Sequence, residues 1–221
     1  MNRKIRAVQY GCGKMSVYLM RYMLEKGAEI VAAFDIDPAI IGKDIGEIIG
    51  TEPHGVKVTD AREADSVLAE LKPDVCVIAT RSTMAEVKEA FTVCAKNGVN
   101  AISTCEEALY PWNSSPEITK ELDELAKKYN CTLAGSGYPD MYWGVMIDTI
   151  AGSMHKITRI EGVSCYNVED YGIALAEGHG AGLSLDEFDE KIGKYNDLTP
   201  DEIKEKIENG EVEPSYMWNQ N

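Results

Sequence analysis

The sequence is short of metal-binding and cross-linking side chains: it has 3 histidines and 6 cysteines, with no CxxC pair and no histidine at zinc-ligand spacing. Cys12, Cys76, Cys94, Cys105, Cys131 and Cys165 are scattered, so neither a disulfide framework nor a structural metal is expected. Basic residues are also scarce, 22 Lys and Arg against 37 Asp and Glu, for a net charge of -15. Nucleic acids and anionic membranes are held through basic fields, so neither is an expected partner and a small molecule is. No apolar run approaches the roughly 18 residues of a membrane span. Met1-Asn2-Arg3-Lys4 leads directly into a strand-like run, which reads as a cytosolic protein. Internal repeats, low-complexity segments and Pro/Gly/Ser linkers are lacking as well.

What is present is ordinary globular material, 44% hydrophobic and 27% charged over 221 residues, enough to bury a core. The acid is uneven: Asp186 to Glu213 holds eleven Asp and Glu against four Lys, a stretch read as solvated helical surface. From Ile5 to Leu133, short β-branched runs alternate with longer helical patterns, the signature of βαβ units and a parallel sheet. Strands are expected at Ile5–Tyr10, Glu29–Asp35, Val56–Thr59, Val75–Ala79, Val99–Ser103 and Cys131–Ala134, and helices near Lys14–Lys26, Asp60–Leu71, Met84–Lys96 and Pro116–Tyr129. Thr83 with Glu86 predicts a capping box, Asn97-Gly98 a helix stop, and Ser115-Pro116 a helix start. Beyond Gly135 the rhythm changes to a helix over Asp140–Gly152, a long strand over Lys156–Val168, and acidic helices over Leu185–Gly193 and Pro200–Asn209. One strand cannot make an independent sheet. The expectation is therefore an α/β chain: residues 1–135 as a Rossmann-type doubly wound parallel sheet, and residues 136–221 as the start of an α+β substrate-binding and dimerisation domain that is incomplete as it stands.

Directly after the first strand comes Gly11-Cys12-Gly13-Lys14-Met15-Ser16, a GxGxxS variant of the dinucleotide fingerprint. Gly11 permits the tight turn, Gly13 lets the backbone approach a pyrophosphate, and the following helix N-terminus supplies N–H groups and a positive dipole end. Asp35 closes the second strand 22 residues beyond Gly13. A carboxylate there takes ribose hydroxyls and repels a 2′-phosphate, favouring NAD, with NADP a possible second cofactor. Thr80 and Arg81 follow the fourth strand at the same carboxyl edge, where such sheets bind ligands.

The fifth strand delivers Ser103-Thr104-Cys105-Glu106-Glu107 to that edge. Neighbours on extended chain point to opposite sides, so one of Glu106 and Glu107 can face the cleft while the other orients it or caps backbone. A cleft carboxylate can hold a substrate ammonium and act as general base. Cys105 is read as a packing residue in preference to a nucleophile. Trp143, in a glycine- and aromatic-rich stretch, and Asn167, Tyr171 and His179 are candidates for substrate contact, with a plain turn the competing reading for His179.

At Val8-Gln9-Tyr10-Gly11-Cys12-Gly13, Asn100-Ala101-Ile102-Ser103-Thr104-Cys105-Glu106-Glu107, Tyr110-Pro111-Trp112-Asn113, Tyr166-Asn167-Val168-Glu169-Asp170-Tyr171-Gly172 and Ser215-Tyr216-Met217-Trp218-Asn219, the chain resembles the amine-oxidising branch of the dihydrodipicolinate reductase-like superfamily. The His-His pair and Lys of the true reductases are absent. The resemblance implies NAD(P)-dependent oxidative deamination of 2,4-diaminopentanoate to 2-amino-4-oxopentanoate and ammonia. It also implies a homodimer, and a further sheet beyond residue 221 that mediates dimerisation and returns to the first domain. A cyclic-imine reductase, a semialdehyde dehydrogenase and a non-catalytic nucleotide-binding module are the competing readings.

Overall fold

In the computed structural model, the described residues are 3–137, 141–159, 167, 176–177, 180–195 and 198–211. They divide into two compact units, one reaching to Met154 and one beginning at His155. The first unit is built on six strands: β1 (Arg6–Tyr10), β2 (Glu29–Asp35), β3 (Val58–Asp60), β4 (Val75–Ile78), β5 (Asn100–Ser103) and β6 (Leu133–Gly135). Their order is β3-β2-β1-β4-β5-β6 and every adjacent pair is parallel. Order reverses between β1 and β4, the switch point where doubly wound sheets open a crevice at the carboxyl ends of their strands.

Both faces of the central strands are covered, which is why those strands read as nearly unbroken apolar runs. On one face Val8, Phe34, Cys76 and Ile78 pack with Leu68 of α3 (Ala64–Leu71), Val87 and Phe91 of α4 (Met84–Lys96) and Leu122 of α5 (Pro116–Tyr129). On the other, Ile30, Ala33 and Val58 pack with Met20 of α1 (Lys14–Glu25) and with Ile45 and Ile49 of α2 (Ile45–Ile49).

Three local expectations are corrected. Strand β3 begins at Val58 and not Val56, because the preceding residues pair elsewhere: Ile45 donates to the Val56 carbonyl and Asp44 bridges antiparallel to Lys57. Helix α2 was not foreseen; Asp44 caps it and also accepts from the amides of His54 and Gly55, both at 2.8 Å. The Thr83 capping box is only half made: the Thr83 hydroxyl donates to the Glu86 side chain, as in a complete box, but the Glu86 amide donates to the Thr83 carbonyl at 3.2 Å and no helix amide reaches the hydroxyl.

After β6, Met141–Ile147 winds as a π-helical segment into α6 (Asp148–Ala151). In the second unit α7 (Leu185–Lys191) and α8 (Pro200–Glu208) each begin with the capping box expected at Ser184/Glu187 and Thr199/Glu202. Of the strand expected over Lys156–Val168, residues 156–159 and 167 are described and carry no strand; the rest lies outside the described residues. Among the described residues no helix is long and apolar enough to cross a membrane.

Candidate functional site

The turn between β1 and α1 is fixed by its contacts with β2 and β4. Gly11 has φ +88°, and a Cβ there would lie 2.4 Å from the Ala79 carbonyl oxygen and 2.8 Å from Cγ2 of Thr80. Only a residue without a side chain can bring β1 this close to the exit of β4. The Gly11 amide donates to the Phe34 carbonyl at 2.8 Å, and the Cys12 amide donates to Oδ2 of Asp35 at 2.6 Å. Oδ1 of Asp35 accepts from the amides of Ile36 and Asp37 at 2.7 and 2.8 Å. A carboxylate with two oxygens has about four acceptor positions, so three amides leave room for one further donor.

Gly13 is the opposite case. Its φ is -75°, and a Cβ there would meet nothing within 4 Å. It is the N-cap of α1, with no side-chain cap and no acidic residue in the first turn, whereas α2, α7 and α8 begin with carboxylate-bearing boxes. An uncapped helix start presents N–H groups and a partial positive charge, and the open space over Gly13 lets an anion reach them. Ser16, where a third glycine is usual, is buried and donates its hydroxyl to the Gly13 carbonyl at 2.6 Å. Lys14 and Met15 begin the helix on its exposed side. These residues fit a dinucleotide pyrophosphate at the turn and a ribose at Asp35.

Cys12 is buried with its thiol against the Phe34 carbonyl, and burial, with Asp35 nearby, pushes that thiol up to about 12. Cys105 is also buried, and burial likewise pushes it up to about 12. A thiol held protonated is a packing residue and no nucleophile.

The two glutamates after β5 part company. Glu107 is buried, its Oε2 accepting from the Met84 amide at the start of α4 at 2.5 Å and its Oε1 from the Ser115 hydroxyl at 2.6 Å. Burial alone would raise its pKa, but the hydroxyls around it, of Ser114 and Ser115, and the Met84 amide outweigh that and hold it below the ordinary glutamate value. Glu107 therefore caps α4 and also holds the Ser115 hydroxyl. Glu106, the preceding residue, is half-buried. The Glu107 amide donates to the Ser82 carbonyl at 3.3 Å, tying the β5 exit to the β4 exit that Gly11 touches. Gly11, Thr80, Ser82 and the Glu106-Glu107 pair thus form one continuous rim.

Arg81 is exposed beside Glu86, Nε to Oε1 3.9 Å. Trp143 belongs by its backbone to the π-helical segment after β6. Asn167 is exposed in the second unit, and Tyr171 and His179 lie outside the described residues. A cavity of about 660 Å³ between α4, α5 and β6, lined by Phe91, Trp112, Leu122 and Leu133 among others, takes none of the predicted site residues into its walls. Among the described residues no cluster of His, Cys, Asp and Glu could hold a metal. Sequence reasoning gave Gln9, Ser82 and Ser115 no part in the site, reading Ser115 only as a helix start; a glutamine inside an otherwise apolar strand was the available signal for the first.

Compared with known proteins, residues 5–135 match the family described as dihydrodipicolinate reductase, N-terminus. The chain is 25% identical over 201 residues to 2,4-diaminopentanoate dehydrogenase of Acetoanaerobium sticklandii, covering 86% of this chain and 54% of that protein. It is 33% identical over 174 residues to 4-hydroxy-tetrahydrodipicolinate reductase of Methanosarcina barkeri, covering 78% and 58%. Among solved structures, amine dehydrogenase from Mycobacterium smegmatis superposes with a TM-score of 0.80 at 36% identity, over 99% of this chain and 60% of that one. The chain spans between about half and three fifths of the length of these relatives.

Proposed function

We propose that this chain, which belongs to the dihydrodipicolinate reductase N-terminal family, carries the cofactor half and part of the catalytic rim of an NAD-dependent amine dehydrogenase. The observation that carries the reading is the pairing of a crowded Gly11 with an open Gly13 beneath an uncapped helix start, with Asp35 one strand away. NAD is favoured because Asp35 would meet a 2′-phosphate with like charge, and NADP is the weaker second cofactor. When bound, the nicotinamide supplies a hydride acceptor. The likeness to an amine dehydrogenase over nearly the whole chain supports a CH–NH₂ donor, and that to 2,4-diaminopentanoate dehydrogenase supports 2,4-diaminopentanoate within that class.

In this reading Glu106, half-buried on the rim, attracts the substrate ammonium and takes its proton, with Glu107 the second candidate. Oxidised at C4, the diamino acid then takes up water and releases ammonia, leaving 2-amino-4-oxopentanoate. Trp143, Asn167, Tyr171 and His179 remain candidates for contact with the rest of the substrate, and the enzyme is expected to work as a cytosolic homodimer.

The test is NADH formation from a panel of 2,4-diaminopentanoate, simple amines, amino acids and aldehydes, alongside NADH consumption with a cyclic imine. Loss of a general base costs about 10²–10⁴ in rate, so Glu106→Gln should lose turnover on that scale and keep its NADH affinity. Turnover of the cyclic imine alone would move the assignment to the reductases, and nucleotide binding without any turnover would leave a binding module.

A further inference from the structure

The feature that the cofactor reading does not absorb is Gln9, a fully buried amide in the middle of β1. Its Nε2 donates to the Gly11 carbonyl oxygen at 2.8 Å. Among the described residues its Oε1 has no hydrogen-bond partner. Facing a carbonyl, the side chain can present only its NH₂ end, so the acceptor end is committed to the interior. An orphaned buried acceptor is costly, and an apolar residue of the same shape would avoid that cost. What the glutamine gains for the fold is therefore confined to the one buried group its NH₂ end satisfies, the Gly11 carbonyl.

The reason lies in the group it holds. The Gly11 carbonyl and the Cys12 amide belong to one peptide unit, and that amide is the one that donates to Oδ2 of Asp35 at 2.6 Å. Gln9 grips one end of the peptide plane and Asp35 the other. A peptide that follows a glycine at φ +88° has little intrinsic resistance to rotation. Turned over, it would present the Gly11 carbonyl oxygen to the Asp35 carboxylate.

We infer that Gln9 is a positioning residue of the cofactor site, setting the ribose-reading carboxylate of Asp35 through the Gly11–Cys12 peptide. The inference rests on the reading of this turn as a dinucleotide site. It does not concern the chemistry at Glu106.

The test uses the 221-residue chain and its Gln9→Met variant, close to isosteric and without a donor. Cofactor-free thermal melting and titrations with NADH and NADPH are measured for both. The expected result is a Tm that changes little, since the orphaned Oε1 that is removed offsets the Gly11 carbonyl left without its donor, an NADH affinity about tenfold weaker, in keeping with the loss of one buried hydrogen bond, and a smaller fall for NADPH, so that discrimination narrows. Repeated in an Asp35→Asn background, Gln9→Met should leave the NADH to NADPH ratio where Asp35→Asn alone puts it. A lower Tm with parallel losses for both nucleotides, or a variant that does not fold, would make Gln9 a packing residue and overturn the inference. Unchanged affinities in the variant would overturn it while leaving the cofactor reading intact. Failure of the unmutated chain to bind either nucleotide would remove both.

Discussion

Replacing Gly11 and Gly13 by alanine, one at a time, separates folding from binding within a single turn. At Gly11 the added methyl would sit 2.4 Å from a main-chain oxygen of Ala79, and the backbone is already at φ +88°. A non-glycine residue in the left-handed region costs about 1–2 kcal/mol, and relieving the overlap means prising β1 from the end of β4 and straining the hydrogen bond from the Gly11 amide to the Phe34 carbonyl of β2. A total near 3 kcal/mol follows, or roughly 6–12 °C in Tm for a chain of this size. At Gly13 the methyl meets nothing, and φ is -75°. Alanine is a poorer N-cap than glycine, but it lowers the entropy of the unfolded chain by an opposing 0.4–1 kcal/mol or about that. The two offset, and the melting temperature should barely move. Yet that methyl projects into the space through which a pyrophosphate must approach the helix start. Gly13→Ala should therefore melt like the unmutated chain and bind NADH at least about tenfold more weakly, a loss of about 1.4 kcal/mol. Cofactor-free melting with NADH titration decides it. Undiminished NADH affinity in Gly13→Ala would refute the placement of the phosphates, and an unchanged Tm in Gly11→Ala would refute the close approach of β1 to β4.

Asp35→Ser should narrow the NADH to NADPH affinity gap and also cost about 1–2 kcal/mol of stability, because the amides of Cys12, Ile36 and Asp37 all lose their acceptor; equal affinities in the unmutated chain, by titration calorimetry, would remove the ribose argument. Glu107 has its folded pKa held below the ordinary value of 4.5, so its contribution to stability is present above that value and is lost as pH falls through the lower folded one. Denaturant titrations should accordingly find Glu107→Gln less stable than the unmutated chain at pH 7, with the difference shrinking on acidification below about pH 5; a difference that does not vary with pH would mean the cap does not depend on charge.

The strands were legible because a parallel sheet covered on both faces leaves a plain mark, the run of β-branched and apolar residues from Ile30 to Phe34 or from Val75 to Ile78. The helix starts at Ser184 and Thr199 were legible because a capping box is local, with both partners three residues apart. Thr83 and Glu86 have the same spacing, and there the pattern misled: the Glu86 amide turns to the Thr83 carbonyl, and the helix is capped instead at the Met84 amide by a carboxylate 23 residues further on. Local spacing carries no trace of such a competitor. The same holds for α2, whose Asp44 serves amides at 46, 54 and 55, and for Gln9, whose significance depends on which end of a peptide Asp35 holds. Of the candidate site, the glycine turn and Asp35 were readable as a motif. The division of labour between Glu106 and Glu107 was not, since adjacency in sequence says only that the two face different ways.

That division follows from what a base must do. A general base has to accept a proton in mid-reaction and give it up again, so its neutral form must be accessible without cost to the fold. Protonating Glu107 would weaken its bond to the Met84 amide at the start of α4 and its bond from Ser115, the N-cap residue of α5, whose hydroxyl serves Glu107 instead of its own helix. One carboxylate thus joins the exit of β5 to the beginnings of α4 and α5. Each proton it accepted would loosen the rim that positions the reacting groups. Under the proposed reading, a residue whose charge holds the rim together is poorly suited to titrate within it, and the adjacent Glu106 sits on the rim that Glu107 keeps in place.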